Sequence, residues 1–294
     1  MATPAEPGAE PSLAAADDPI HVRIVELKKT YGTTTILKGL TFEMQRGLTN
    51  VILGASGSGK TVFLRQLVRL EKPDSGQIIV DGVDIAPLNE MQLGETRKKF
   101  GMVFQMSALF DSMDVFDNVA FPLREHFKKL SRGEVKSKVE EALEALGVAH
   151  AVHRQPSELS GGMKKRVAVA RAIVMQPAIL IYDEPTTGLD PITSRTVDDL
   201  IESTRERFGV TSVVISHDME SVFRMGHHIT LLYKGQIEES LPRDEFAKSQ
   251  NAHVREILTA SGVNIPGMEG ADQPQKLAPV PEPAHRKVSA QDPG

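Results

Sequence analysis

The chain contains no cysteine. That excludes disulfides and thiolate metal sites, and it suits a reducing compartment. No apolar run reaches about 18 residues, so no transmembrane helix is expected. There is no excess of basic charge. The net charge is −5, which disfavours nucleic-acid binding through bulk electrostatics. Residues 1–19 lack Lys and Arg altogether and carry Pro4, Pro7, Pro11 and Pro19 among four acids. A signal peptide needs a basic start and an apolar centre, so this segment reads as a disordered leader.

What is present fits a globular α/β protein. The 294 residues, 40% hydrophobic and 25% charged, suffice for one large domain or two small ones. Residues 21–29 and 36–44 alternate like strands, and "QIIVDGVDI" reads as a strand with a turn at Asp81-Gly82. The apolar runs "LTNVILGA", "AILIYDE" and "TSVVISHD" each end in glycine or polar residues. Buried parallel strands look like this, with chemistry at their C-terminal ends. The segment 131–147 reads as a helix with a Ser131–Glu134 capping box and a Gly147 stop. "HHITLLYKGQIEES" reads as a hairpin around Lys234-Gly235. Residues 246–261 read as one amphipathic helix with Phe246, Val254, Ile257 and Leu258 apolar and Gly262 as its stop. The proline-rich remainder reads as a flexible tail. It either tethers a neighbouring subunit or is dispensable disorder.

"GASGSGKT" (54–61) has the spacing G-x-x-x-x-G-K-[ST] between an expected strand and an expected helix. A glycine-rich surface loop would also account for the letters, but the flanking elements favour a phosphate cradle. Gly54, Ala55, Ser56, Gly57, Ser58 and Gly59 would present backbone N–H groups to phosphate oxygens, and the helix N-terminus adds positive partial charge. Lys60 would neutralise the β- and γ-phosphates, and Thr61 would place its hydroxyl on Mg²⁺. "ILIYDEP" delivers Asp183 and Glu184 to a strand end. Asp183 would hold the Mg²⁺ water shell, and Glu184 would accept a proton from the attacking water. Alone, two acids before a proline would read as a solvated turn. His217 ends "VVISH" and is either structural or a γ-phosphate hydrogen-bond partner. Gln105, after "GMVF", could touch Mg²⁺ or the water. Tyr31 in "KKTYG" could stack on adenine or simply close a strand.

A second anion-facing helix start follows at "LSGGMKKR" (159–166). Ser160 is an N-cap, Gly161 and Gly162 leave the N–H groups open, and basic residues come next. Val167, Ala170 and Val174 share an inward face, and "KKR" is expected at the solvated rim. The order "GASGSGKT", Gln105, "LSGGMKKRVAVARA", "ILIYDEP", "TGLD", "ISHD" resembles the ATP-binding subunits of ABC transporters across residues 20–245. The resemblance implies an α/β P-loop NTPase of ABC type: a RecA-like core, an antiparallel β subdomain and an α-helical subdomain at about 106–175. Residues 246–294 would form a C-terminal helix and tail. It implies ATP and Mg²⁺ as cofactors. It implies a head-to-tail dimer in which Ser160, Gly161 and Gly162 cap ATP held by the other copy. That explains why one chain carries two phosphate-facing helix starts.

Met163 stands where Gln is usual after LSGG, and "FQMSALFDSMDVFDNVAFPLREH" (104–126) is similar to the Mla/Mce-type lipid transporters. That implies phospholipid movement between membranes, driven from the cytoplasmic face of the inner membrane. The implied partners are a transmembrane permease, Mce-type lipid-binding subunits and small accessory subunits, with no nucleic acid. Val62 departs from the usual hydroxyl residue, which implies weaker nucleotide binding. Phe104, Phe110, Phe116, Phe121 and Phe127 fall in the region that receives a coupling helix in this family. They serve a helical core, a permease groove or both. The competing readings are the ATPase of a small-solute importer, a soluble ABC protein of repair or translation, and a non-catalytic regulator. The repair and translation types are disfavoured because no coiled-coil insertion and no second cassette are present. The regulator is disfavoured because Lys60, Asp183, Glu184 and His217 are all retained.

Overall fold

The computed structural model describes residues 18–262. Most of the leader and all of the proline-rich tail expected from the sequence lie outside the described residues. The strands are β1 (Ile20–Tyr31), β2 (Thr34–Gln45), β3 (Thr49–Leu53), β4 (Ser75–Val80), β5 (Val83–Asp84), β6 (Phe100–Val103), β7 (Ile179–Asp183), β8 (Thr211–Ser216), β9 (His228–Tyr233) and β10 (Gln236–Pro242). The helices are α1 (Lys60–Leu67), α2 (Glu90–Arg97), α3 (Val115–His126), α4 (Arg132–Ala145), α5 (Gly161–Ile173), α6 (Pro191–Phe208), α7 (Met219–Met225), α8 (Arg243–Phe246) and α9 (Ala252–Ser261).

Two sheets result. One is antiparallel in the order β2-β1-β4-β5, and the other has the order β10-β9-β3-β8-β7-β6. In the second, β9, β3, β8, β7 and β6 run parallel, and β10 pairs antiparallel to β9. β3 and β8 are buried along their whole length, as apolar strands covered on both faces must be. Their side chains alternate between two cores. Val51, Leu53, Leu180, Tyr182 and Val214 join the core built with α3 to α7. Ile52, Ile179, Ile181, Val213 and Ile215 join the core shared with α1 and the antiparallel sheet. The two sheets are also tied through Asp81, which His21, Arg46 and Lys99 all face at 2.8–3.3 Å. Those three partners hold its carboxyl well below the usual range, the bond to His21 contributing most.

α3, α4 and α5 pack on one another beside the parallel sheet. α4 starts at the Ser131–Glu134 capping box, and Gly147 follows it at φ 70°. The C-terminal segment departs from the single helix expected over 246–261. It forms α8 and α9 with a break between them. The Asn251 side chain accepts hydrogen bonds from the N–H groups of His253 and Val254 and so starts a new helix at Ala252. Phe246, Val254 and Leu258 are nonetheless all buried in the larger core, and Gly262 adopts the left-handed C-terminal stop.

Candidate functional site

Four neighbouring parallel strands deliver their C-terminal ends to one place. β3 runs into the 54–61 loop, β8 into His217, β7 into Asp183 and Glu184, and β6 into Gln105. The register pairs Leu53 with Ser216 and Asp183 with Ile215, so the ends are level. A cleft of about 500 Å³ opens there, lined among others by Ser56, Gly59, Lys60, Gln105, Glu184 and His217. That volume lies within the roughly 300–1,000 Å³ range of small-molecule sites.

The 54–61 loop is held by close approach. A Cβ on Gly54 would meet the Leu232 carbonyl oxygen at 2.5 Å and Ser58 Oγ at 2.6 Å. Gly59 sits at φ 111°, which an L side chain rarely adopts. Lys60, buried, donates through Nζ to the carbonyls of Gly54 (2.6 Å) and Ala55 (3.2 Å) and lies 3.3 Å from Glu184 Oε1. The buried Ser58 hydroxyl has no protein partner. Gly57, Thr61 and Val62 also line the cleft. The donor set fits a nucleotide with its divalent ion: N–H groups at a helix start, one ammonium, an unsatisfied hydroxyl, and Thr61 with Asp183 as oxygen ligands. Burial pushes the Asp183 carboxyl up, the adjacent Glu184 charge adds to this, and Lys60 opposes it. A bound cation would act in the direction of Lys60.

Glu184 is the centre of the polar contacts. Its Oε2 accepts from Thr187 Oγ1 (2.9 Å) and lies 2.7 Å from His217 Nδ1. Its backbone is left-handed at φ 49°. Gln105 lines the cleft, as expected. Tyr31 is not among the cleft-lining residues: its hydroxyl bonds Glu71, and Lys29 Nζ lies 5.5 Å over its ring. Asp183, at the end of β7 and next to Glu184 in the chain, is not itself among the cleft-lining residues.

Ser160 caps α5, its Oγ accepting from the Met163 N–H at 3.3 Å. Ser160, Gly161 and Gly162 are exposed and contribute nothing to the cleft of their own chain. The basic residues after them correct the expectation of a solvated rim. Lys165 Nζ donates to the carbonyls of Gln105 (2.6 Å) and Pro185 (2.9 Å), and Arg166 donates to the carbonyl of Leu146. The backbone turns after β6 and β7 leave carbonyls that no strand satisfies, and Lys165 supplies the missing donor. Burial lowers its pKa from the ordinary lysine value. Thr187 was also not anticipated. Its only sequence signal is its position three residues beyond Glu184, the reach of a turn.

Beyond β6, Phe104, Phe110 and Phe121 line a groove of about 420 Å³ with Arg97, Met102 and Met175. Phe116 and Phe127 instead pack on the core. Of the two roles expected for these aromatics, the first three residues face the groove and the other two the interior.

Comparison with known proteins decides the family. The ABC transporter family model matches residues 37–187. The chain belongs to the ATP-binding proteins of the ABC transporters. It is 35% identical over 249 residues to the probable ribonucleotide transport ATP-binding protein mkl of Mycobacterium leprae, covering 85% of this chain and 72% of that one. It is 37% identical over 239 residues to the intermembrane phospholipid transport system ATP-binding protein MlaF of Haemophilus influenzae, covering 81% and 89%. It is 38% identical over 256 residues to the methionine import ATP-binding protein MetN of Rhizobium johnstonii, covering 87% and 70%. Among solved structures it resembles cbiO1 of Clostridium perfringens, part of the ABC transporter complex cbiONQ, with a TM-score of 0.74 and 29% identity over 82% of this chain and 95% of that one. It also resembles the ATP-binding cassette MJ0796 in a dimeric post-hydrolysis state bound to ADP and Pi, with a TM-score of 0.67 and 30% identity over 76% and 98%. This ABC protein is thus an ATPase that uses ATP with Mg²⁺, on the α/β P-loop fold expected from its motifs. Among the described residues no helix is long and apolar enough to cross a membrane.

Proposed function

We propose that this ABC ATPase powers the movement of phospholipid or a related lipid between membranes, as a peripheral head-to-tail dimer on the cytoplasmic side of a separate permease. The observation that carries the hydrolytic assignment is the convergence of Lys60, Thr187 and His217 on Glu184 at the mouth of the cleft. Glu184 accepts the proton of the attacking water, and His217 orients Glu184 and reaches the γ-phosphate. On nucleotide entry Lys60 exchanges its carbonyl partners for phosphate oxygens. Thr61, Asp183 and Gln105 would hold the Mg²⁺, which supplies charge that offsets that of the phosphates. Glu184→Gln should bind ATP yet lose about 10²–10⁴-fold in turnover. Near wild-type hydrolysis in that variant would remove the assignment.

The lipid assignment rests on the match to MlaF over most of its length, with Met163 and the 104–126 segment in agreement. The groove bearing Phe104, Phe110 and Phe121 is the surface for the permease. Mce-type and small accessory subunits complete the assembly. The comparable match to MetN supports a second reading, import of a small solute. Purification of the ATPase with its membrane partners, followed by mass spectrometry of proteins and bound lipid, separates the two. Copurified phospholipid and lipid transfer after reconstitution are expected. ATPase stimulation by a solute-binding protein, with no lipid retained, would favour the importer.

A further inference from the structure

α6 carries a carboxylate where a core side chain belongs. Asp198 lies on the face with Val197, Ile201 and Thr204, and its side chain is 1% exposed. Burying a carboxylate costs free energy that an apolar residue of similar size would not. Desolvation accordingly raises its pKa to about 6 despite the Arg224 guanidinium beside it. What the carboxylate secures is a connection. Oδ2 accepts from Arg224 Nη1 at 2.6 Å and from Ser221 Oγ at 3.0 Å, both on α7. The Ser221 hydroxyl lies 3.0 Å from Asp218 Oδ2 as well. That same oxygen accepts from Thr186 Oγ1 at 3.3 Å. Asp218 also caps α7 through the N–H groups of Glu220 and Ser221.

The chain of contacts therefore runs from Asp198 through Ser221 and Asp218 to Thr186. Its far end lies two residues after Glu184, and Asp218 directly follows His217. A cavity of about 160 Å³, lined by Leu189, Pro191, Ser194 and Asp218 among others, adjoins it at the start of α6. The polar chain runs along the wall of that cavity and adds a side-chain tie between the two loops. We propose that Asp198 is a positioning residue for ATP hydrolysis, fixing through Ser221 and Asp218 the two loops that carry Glu184 and His217. This rests on the assignment of Glu184 as the base. Arg195 and Glu220 complete the outer rim of the network: Glu220 accepts from both Arg224 and Arg195.

The test uses full-length protein and steady-state ATPase kinetics. Ser221→Ala and Thr186→Val break the chain at different links, and Thr186→Val does so without touching any partner of the buried Asp198 carboxylate. Each should lower kcat by about 10-fold or more, toward the roughly 10²-fold that misplacement of about 1 Å can cost, while KM for ATP stays nearly constant. The double variant should be no worse than the worse single, because both remove one connection. Asp198→Val should reproduce the kcat loss and also lower the melting temperature, because Arg224 Nη1 and the Ser221 hydroxyl lose their buried acceptor. Wild-type kcat in Ser221→Ala and Thr186→Val, or losses that multiply in the double, would overturn the proposal. Glu184→Gln is measured in parallel. If it keeps turnover, the base assignment itself fails. If it loses turnover while the network variants do not, only the positioning role fails.

Discussion

Lys165 shows how one side chain can join two catalytic loops. Its ammonium is the common donor to the carbonyls of Gln105 and Pro185, so the loop after β6 and the loop after β7 share one charge. Arg171, further along α5, donates to the carbonyls of Ser107 and Ala108 within the loop after β6, both of which sit at positive φ. Strained backbone of this kind persists only where the surroundings impose it. Lys165→Met keeps the apolar stem and removes the donor, leaving the half-buried Pro185 carbonyl short of a partner while water can reach that of Gln105. It should cost about 1 kcal/mol of stability, seen as a lower melting temperature, and should reduce kcat more than ATP affinity. Unchanged kcat would mean that the two loops hold their positions without it. The 54–61 loop was legible in the sequence because its pattern is local: the glycines, Lys60 and Thr61 proposed to cradle phosphate lie within eight positions. Lys165 and Asp198 were not legible, because their roles depend on partners 60 and 23 positions away.

At the scale of elements, the parallel strands could be read from their apolar runs, and the hairpin from Lys234-Gly235. The C-terminal helix could not be delimited, because its apolar positions continue across the break and only the Asn251 cap interrupts them. The hairpin turns out to have a second duty. The Gly235 N–H donates to the Ser58 carbonyl at 3.1 Å, and the Gly235 carbonyl accepts from the Lys38 N–H at 2.9 Å. The β9–β10 turn thus supports the phosphate loop from outside. From the other side, His253 of α9 stacks on Tyr233 at 4.1 Å and lies 3.0 Å from Glu238. Gly235 is at φ 82°, and a Cβ there would meet the Ile36 carbonyl oxygen at 2.0 Å. Gly235→Ala must therefore push the turn off the phosphate loop. The expected result is a raised KM for ATP together with lower stability. Gly32→Ala makes the comparison: it has a similar left-handed φ of 58° with open space around it, so it should show the backbone penalty without the change in KM.

At the scale of the whole molecule, one chain presents an incomplete pair of sites. Lys60, Glu184 and His217 line the cleft, while the capped start of α5 at Ser160 is exposed and is not among the lining residues. In the proposed reading the exposed helix N-terminus with its two glycines supplies N–H donors to an anion, and the cleft supplies Lys60 to the same anion. In the proposed head-to-tail dimer a second copy would supply each with the other; the cassette MJ0796 that the chain resembles is dimeric. The consequence can be counted. A dimer of Lys60→Ala with Ser160→Arg places both defects in one site and leaves the other intact. Homodimers of either variant have no intact site. With both chains also carrying Glu184→Gln, so that ATP is held and not turned over, the purified mixed dimer should retain about one ATP and each homodimer close to none. If Ser160 instead served its own chain's cleft, every site in the mixed dimer would carry one defect and no ATP would be retained.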